Sequence, residues 1–120
     1  MKKQDLRIGN YIEYNGKIIT VSDIYLSTGI IQRREYTING RLISDVNPLL
    51  LSDEYLSKLG FSKNKIGYTK TTSLDRLIAI GFGSDSITVN NVRFQNQIKY
   101  VHQLQNLYFA LTGEELTIKS

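Results

Sequence analysis

Apolar and polar residues alternate on both sides of Asn15-Gly16, in YIEY before the pair and KIITV after it. An Asn-Gly pair between alternating runs predicts a two-residue hairpin, because both turn positions require positive φ. That turn sets the register: Ile12 faces Ile19 and Tyr14 faces Lys17, so Ile12, Tyr14, Ile19 and Val21 share one side of the ribbon. Asn39-Gly40 repeats the device, with Tyr36 and Ile38 before it and Arg41 and Ile43 after it on a common face. The strings NGKIITVSDI and NGRLISDV read as shared turn chemistry rather than as a duplicated unit.

Pro48 ends that strand region, and Ser52-Asp53-Glu54 then supplies a helix cap with first-turn acids that suit the helix dipole. LSDEYLSKLGF therefore predicts a short helix that turns Tyr55, Leu56 and Leu59 inward, stops at Gly60 and folds Phe61 back on Leu56. LDRLIAIGF, residues 74–82, is apolar on both faces and predicts a central strand. SITVNNVRF predicts a third hairpin with Val89 opposite Val92 and Ile87 opposite Phe94.

The longest periodic stretch, residues 97–111, predicts a closing helix in which Tyr100, Val101, Leu104, Leu107, Tyr108 and Leu111 fall within about one-third of the wheel. Gly113 stops it, and residues 116–118 could return as an edge strand. The elements together predict an α+β fold in one domain, 1–120. Antiparallel β-hairpins form a sheet or partial barrel, packed by one short and one longer C-terminal helix.

Composition narrows the chemistry. With 120 residues, 41% apolar, Tyr 8 and Phe 4, the chain has the make-up of an ordered globular domain. The absence of cysteine excludes a disulfide staple, a thiolate nucleophile and any sulfur-ligated metal, and it suits a reducing cytosol. No run of roughly 18 apolar residues predicts a membrane span, and MKKQDLRIGN has no apolar run after its lysines to serve as a leader. A net charge of +4 is mild, and its one lysine run, Lys63, Lys65 and Lys70, reads as a solvated loop ahead of a phosphate-binding patch.

His102 is the lone histidine and no acidic cluster accompanies it, so neither a zinc site nor a nucleophile–base pair is predicted. Gly81-Phe82-Gly83-Ser84 lacks the lysine and the following helix of a phosphate loop. No cofactor, metal or catalytic residue is expected, and catalysis is the minor reading.

Two groups of residues remain as candidate sites. Arg33, Arg34, Tyr36 and Arg41 bring guanidinium forks and a ring together in the second hairpin, which suits a nucleotide or nucleic acid. The competing reading is a solvated edge strand whose charges deter edge-to-edge pairing. Ile98, His102, Gln105 and Phe109, at steps of four, three and four, project opposite much of the core stripe of the closing helix. Either a loop or the C-terminal segment covers them, or they form a self-association or ligand surface.

The blocks LRIGNYIEYNG, NPLLLSDEYLSKLGF and YVHQLQNLYFALTGEEL, in that order, resemble small uncharacterised proteins of gut anaerobic bacteria and their phages. Here the shared pattern is Leu6 to Asn10, Leu51 to Phe61, and Val101 to Gly113. The resemblance implies context rather than mechanism: a phage or mobile-element accessory protein of the bacterial cytoplasm. With it, the leading expectation is a non-catalytic protein that binds a nucleotide-like small molecule, a sponge sequestering a nucleotide-derived immune signal of the host. The alternatives are a nucleic-acid-binding accessory protein and a protein-binding or structural module, for which a homo-oligomer is expected.

Overall fold

Positive φ at Asn15 (50°) and Gly16 (77°) closes the first hairpin, joining β1 (Tyr11–Tyr14) to β2 (Lys17–Thr20) with Ile12 opposite Ile19 and Tyr14 opposite Lys17. The structure is a computed structural model that describes residues 6–28, 34–65, 67–72, 77–81, 87–89, 92–94 and 98–118. These divide into two compact units, Met1–Leu50 with Tyr100–Asn106 and Leu51–Lys99 with Leu107–Ser120.

In the first unit β3 (Ile24–Thr28) pairs with β4 (Arg34–Ile38), and Asn39 (φ 53°) and Gly40 (φ 76°) turn β4 into β5 (Arg41–Leu42). Asn39 does more than turn the chain. Its Oδ1 accepts from the Ser22 and Asp23 N–H groups, at 2.6 and 3.1 Å, and its Nδ2 donates to Thr20 O at 2.6 Å. The side chain thereby ties the second hairpin to the β2–β3 connection. Ile43 leaves the expected strand for a single 3₁₀ turn, Ile43–Asp45, after which β6 (Asn47–Pro48) pairs with β1. The two sheets run β2-β1-β6 and β3-β4-β5. Leu6, Ile12, Val21, Ile38 and Val46 form one buried apolar cluster, flanked by Tyr14, Ile19, Ile24 and Ile43.

The second unit opens with α1 (Asp53–Lys58). The Ser52 Oγ accepts from Tyr55 N–H at 3.3 Å. At the other end Phe61 N–H reaches Leu56 O at 3.0 Å and Gly60 N–H reaches Ser57 O at 3.1 Å, the paired closure of a Schellman motif. Leu56, Leu59 and Phe61 are buried. Where the lysine run predicts a loop, the chain forms a hairpin of β7 (Ser62–Lys63) and β8 (Gly67–Thr71), its turn held by Asn64 Oδ1 accepting from Gly67 N–H at 3.0 Å. β9 (Leu77–Gly81), β10 (Ile87–Val89) and β11 (Val92–Phe94) complete a sheet ordered β11-β10-β9-β8-β7. β9 is central, as its two apolar faces predict, and the Val89–Val92 and Ile87–Phe94 pairs form as expected. Phe82 and Asn90-Asn91 lie outside the described residues.

α2 (Val101–Thr112) contributes its first residues to the first unit and the rest to the second. It starts later than residue 97, because backbone around Tyr100 is strand-like: Tyr100 bridges Leu50, and Val101 N–H donates to Leu49 O at 2.9 Å. Gln103 Oε1 accepts from Tyr100 N–H at 3.1 Å, one half of a capping box. Residues 115–118 form no strand, although Leu116 is buried. The α+β class is thus observed, with antiparallel hairpins and a short and a longer helix, but among the described residues the strands divide among three sheets and none closes into a barrel.

Candidate ligand-binding residues

Arg33 lies outside the described residues, and Arg34 opens β4 with its backbone paired to Thr28. Tyr36 is half-buried opposite Leu26, and Arg41 follows the Asn39-Gly40 turn opposite Ile38. The Arg41 guanidinium lies over the ring of Tyr14, 4.5 Å from its centroid, and its Nη1 donates to Asn39 O at 3.4 Å. A guanidinium held over a ring and bonded to a carbonyl has already given up much of its side-chain freedom. Tyr14 belongs to a different hairpin, so sequence spacing gave no signal for this pair. β4 lies between β3 and β5, but β5 pairs only with Thr37 and Ile38, so among the described residues Arg34–Tyr36 is paired on its β3 side alone.

The four residues of the closing helix segment do not share one accessible surface. Ile98, His102 (2% exposed) and Gln105 (0%) are buried, whereas Phe109 is 40% exposed. Within the first unit, Gln105 Nε2 donates to Gly9 O at 3.1 Å and its Oε1 accepts from Tyr11 N–H at 2.8 Å. Because one neighbour is a backbone acceptor and the other a backbone donor, the orientation of this amide is determined without ambiguity. Asn10, fully buried, donates from Nδ2 to Asn106 Oδ1 at 2.8 Å and accepts Arg7 N–H on Oδ1 at 2.6 Å. Arg7 Nε also donates to Asn106 Oδ1, at 3.2 Å. The opening Leu-x-x-Gly-Asn motif and the Gln105-Asn106 pair of the closing helix are therefore two halves of one hydrogen-bonded cluster. His102 stacks on Tyr100, centroids 5.8 Å apart and planes within 10°.

In the second unit the lysines diverge. Lys63 and Lys65 are exposed, while Lys70 is half-buried, donates from Nζ to Leu59 O at 3.2 Å at the end of α1, and lies 6.0 Å from the Tyr108 ring centroid. A cation at that position complements the carbonyl end of the helix. Tyr68 is buried, and the Asp53 carboxylate acts on its hydroxyl. Asp53 first, and then burial, push its pKa up to about 12. Tyr108 is also raised, by burial first and then by the charge of Glu114.

On the opposite face of β8–β10, Gly67, Thr69, Ala79, Gly81 and Thr88 line a shallow depression. Residue 67 is held to glycine, because a Cβ there would collide with Ile80 O. Among the described residues no group of three or more His, Cys, Asp or Glu could hold a metal ion, and no helix is long and apolar enough to cross a membrane. No protein-family model matches the chain, and no curated protein or solved structure matches it either.

Proposed function

We propose that this chain is a non-catalytic binding protein for a phosphate-bearing, nucleotide-like small molecule, gripped along β4 and the β4–β5 turn. The observation that carries this reading is the Arg41–Tyr14 contact, a guanidinium held over a ring 4.5 Å from its centroid and bonded to Asn39 O. Preorganisation of this kind lowers the ordering cost of bidentate phosphate binding. Arg34 sits four residues from Ile38, the strand partner of Arg41, a separation of about 13 Å along an extended strand. A ligand engaging both ends is therefore larger than one mononucleotide, and Tyr36 between them offers a ring for a base. Given the resemblance to phage proteins, the role that fits is a sponge that sequesters a nucleotide-derived immune signal of a bacterial host.

The test is heat extraction of the purified protein and mass spectrometry of what is released, repeated on Arg41→Lys. A stoichiometric nucleotide released unmodified, and depleted by Arg41→Lys, supports the reading, because lysine keeps the charge but loses the planar fork and the stack. A ligand retained equally by Arg41→Lys removes the site assignment. Absence of any released or titratable nucleotide, with binding to nucleic acid that falls steeply with salt, overturns the sponge in favour of a nucleic-acid binder.

A further inference from the structure

Each of the three sheets ends in two edge strands, and an edge presents unpaired N–H and C=O groups that template pairing with another chain. Proteins blunt such edges with Lys, Arg, Pro or very short strands. Here β2 carries Lys17, β5 is two residues with Arg41, β6 is two residues with Pro48, β7 is two residues with Lys63, and β11 carries Arg93. The exception is β3, Ile-Tyr-Leu-Ser-Thr, five residues with no charge and no proline. Its backbone parity is defined by Asn39 N–H donating to Asp23 O at 3.2 Å. The hydrogen-bonded positions facing β4 are therefore Asp23, Tyr25 and Ser27, and the backbone groups of Ile24, Leu26 and Thr28 point to the outer side. Among the described residues no strand pairs with that side. Tyr25 is 65% exposed and Leu26 47%.

We infer that β3 is a homodimerisation edge, pairing antiparallel with β3 of a second copy about a two-fold axis at Leu26. The strand is self-complementary under that operation. Leu26 meets its own counterpart, residue 24 meets 28 and residue 25 meets 27, and since none of the five residues is charged no like charges face each other. The outward backbone groups of Ile24, Leu26 and Thr28 supply the ladder, and the two three-stranded sheets become one of six strands. A five-residue seam buries well under the roughly 1,200 Å² of a standard stable interface, so the dimer is weak and concentration-dependent. The inference is independent of the ligand reading.

Sedimentation velocity over a concentration series tests it, with Leu26→Lys, which places like charges opposite each other at the axis. The expected result is a dimer fraction that rises with concentration in the native chain and disappears in a folded Leu26→Lys variant. Since the chain has no cysteine, Leu26→Cys gives a second readout. Residues at a hydrogen-bonded antiparallel pair lie about 5.5 Å apart, within disulfide range. Under mild oxidant it should form crosslinked dimer about tenfold faster than Ile18→Cys on the lysine-bearing edge, by its higher effective concentration. A monomer at every concentration, a dimer that survives Leu26→Lys, or equal crosslinking at the two positions overturns the inference. Capture of an extended peptide by a strictly monomeric chain also overturns it, assigning the edge to a different partner.

Discussion

Replacing Gln105 by alanine tests the cluster that joins the two ends of the chain. Truncation removes the donor to Gly9 O and the acceptor for Tyr11 N–H, at 3.1 and 2.8 Å. A buried backbone group left without its partner costs about 1–3 kcal/mol. Gly9 and Tyr11 are only half-buried, so the two together cost about 2–3 kcal/mol, and the cavity left by a fully buried side chain adds about 1 kcal/mol. Asn10 loses only a 3.4 Å contact and keeps its 2.8 Å bond to Asn106. At about 4 °C per kcal/mol for a chain of this size, the melting temperature should fall by about 12–16 °C. Gln105→Glu is the sharper probe, because it preserves volume and the acceptor but turns an oxygen toward Gly9 O. Buried there, the carboxyl has its pKa raised. It stabilises the fold fully below its ordinary value of about 4.3, where it is protonated and donates to Gly9 O, and loses that contribution as pH rises through the raised value. Urea unfolding followed by tyrosine fluorescence and far-ultraviolet circular dichroism reads both effects. A Gln105→Ala variant within about 0.5 kcal/mol of the parent, the range typical of neutral surface changes, would refute the reasoning. So would a Gln105→Glu variant that gains stability relative to the parent between acid and neutral pH.

Asn39→Ala should cost more than Asn15→Ala, by about 2 kcal/mol in the same unfolding assay, since only Asn39 also holds Ser22, Asp23 and Thr20. Gly67→Ala combines φ +152° with a Cβ 2.1 Å from Ile80 O. It should prevent the Gly67–Gly81 end of the β8–β9 ladder from closing, seen as lost amide protection at Tyr68 and Ile80, the hydrogen-bonded pair next to it, with native protection there counting against the clash. Alkaline titration should show Tyr68 ionising near pH 12, its stabilisation complete below about pH 10 and lost as pH rises through about 12. Asp53→Asn removes that carboxylate's charge and should move the step down toward the ordinary tyrosine value, read as tyrosinate absorbance against a Tyr68→Phe control.

Much of the fold was legible because its determinants are local. Asn15-Gly16 and Asn39-Gly40 take positive φ whatever surrounds them, so the Ile12–Ile19 and Ile38–Arg41 pairs follow from counting outward from the turn. Ser52 and Gly60 bracket α1 for the same reason. Of the candidate site, residue chemistry in the second hairpin points to Arg41, but its partner Tyr14 lies in another hairpin and carries no local signal. Lys70 was read as solvated, although alternation along β8 places it on the side of Tyr68, where it reaches the end of α1.

The closing helix marks where that legibility ends. Its periodicity determined that a helix forms and which apolar stripe it buries. Only the tertiary structure decided that His102 and Gln105, opposite that stripe, are buried too, because a polar side chain is admitted to the interior when distant backbone groups satisfy it, and Gly9 and Tyr11 are those groups for Gln105. Likewise the sequence determined the β1–β2, β4–β5 and β10–β11 hairpins, but not the β3–β4 and β7–β8 pairings, nor how the described strands divide among sheets. Turn geometry is a property of two residues, whereas strand order depends on which edges meet across the chain.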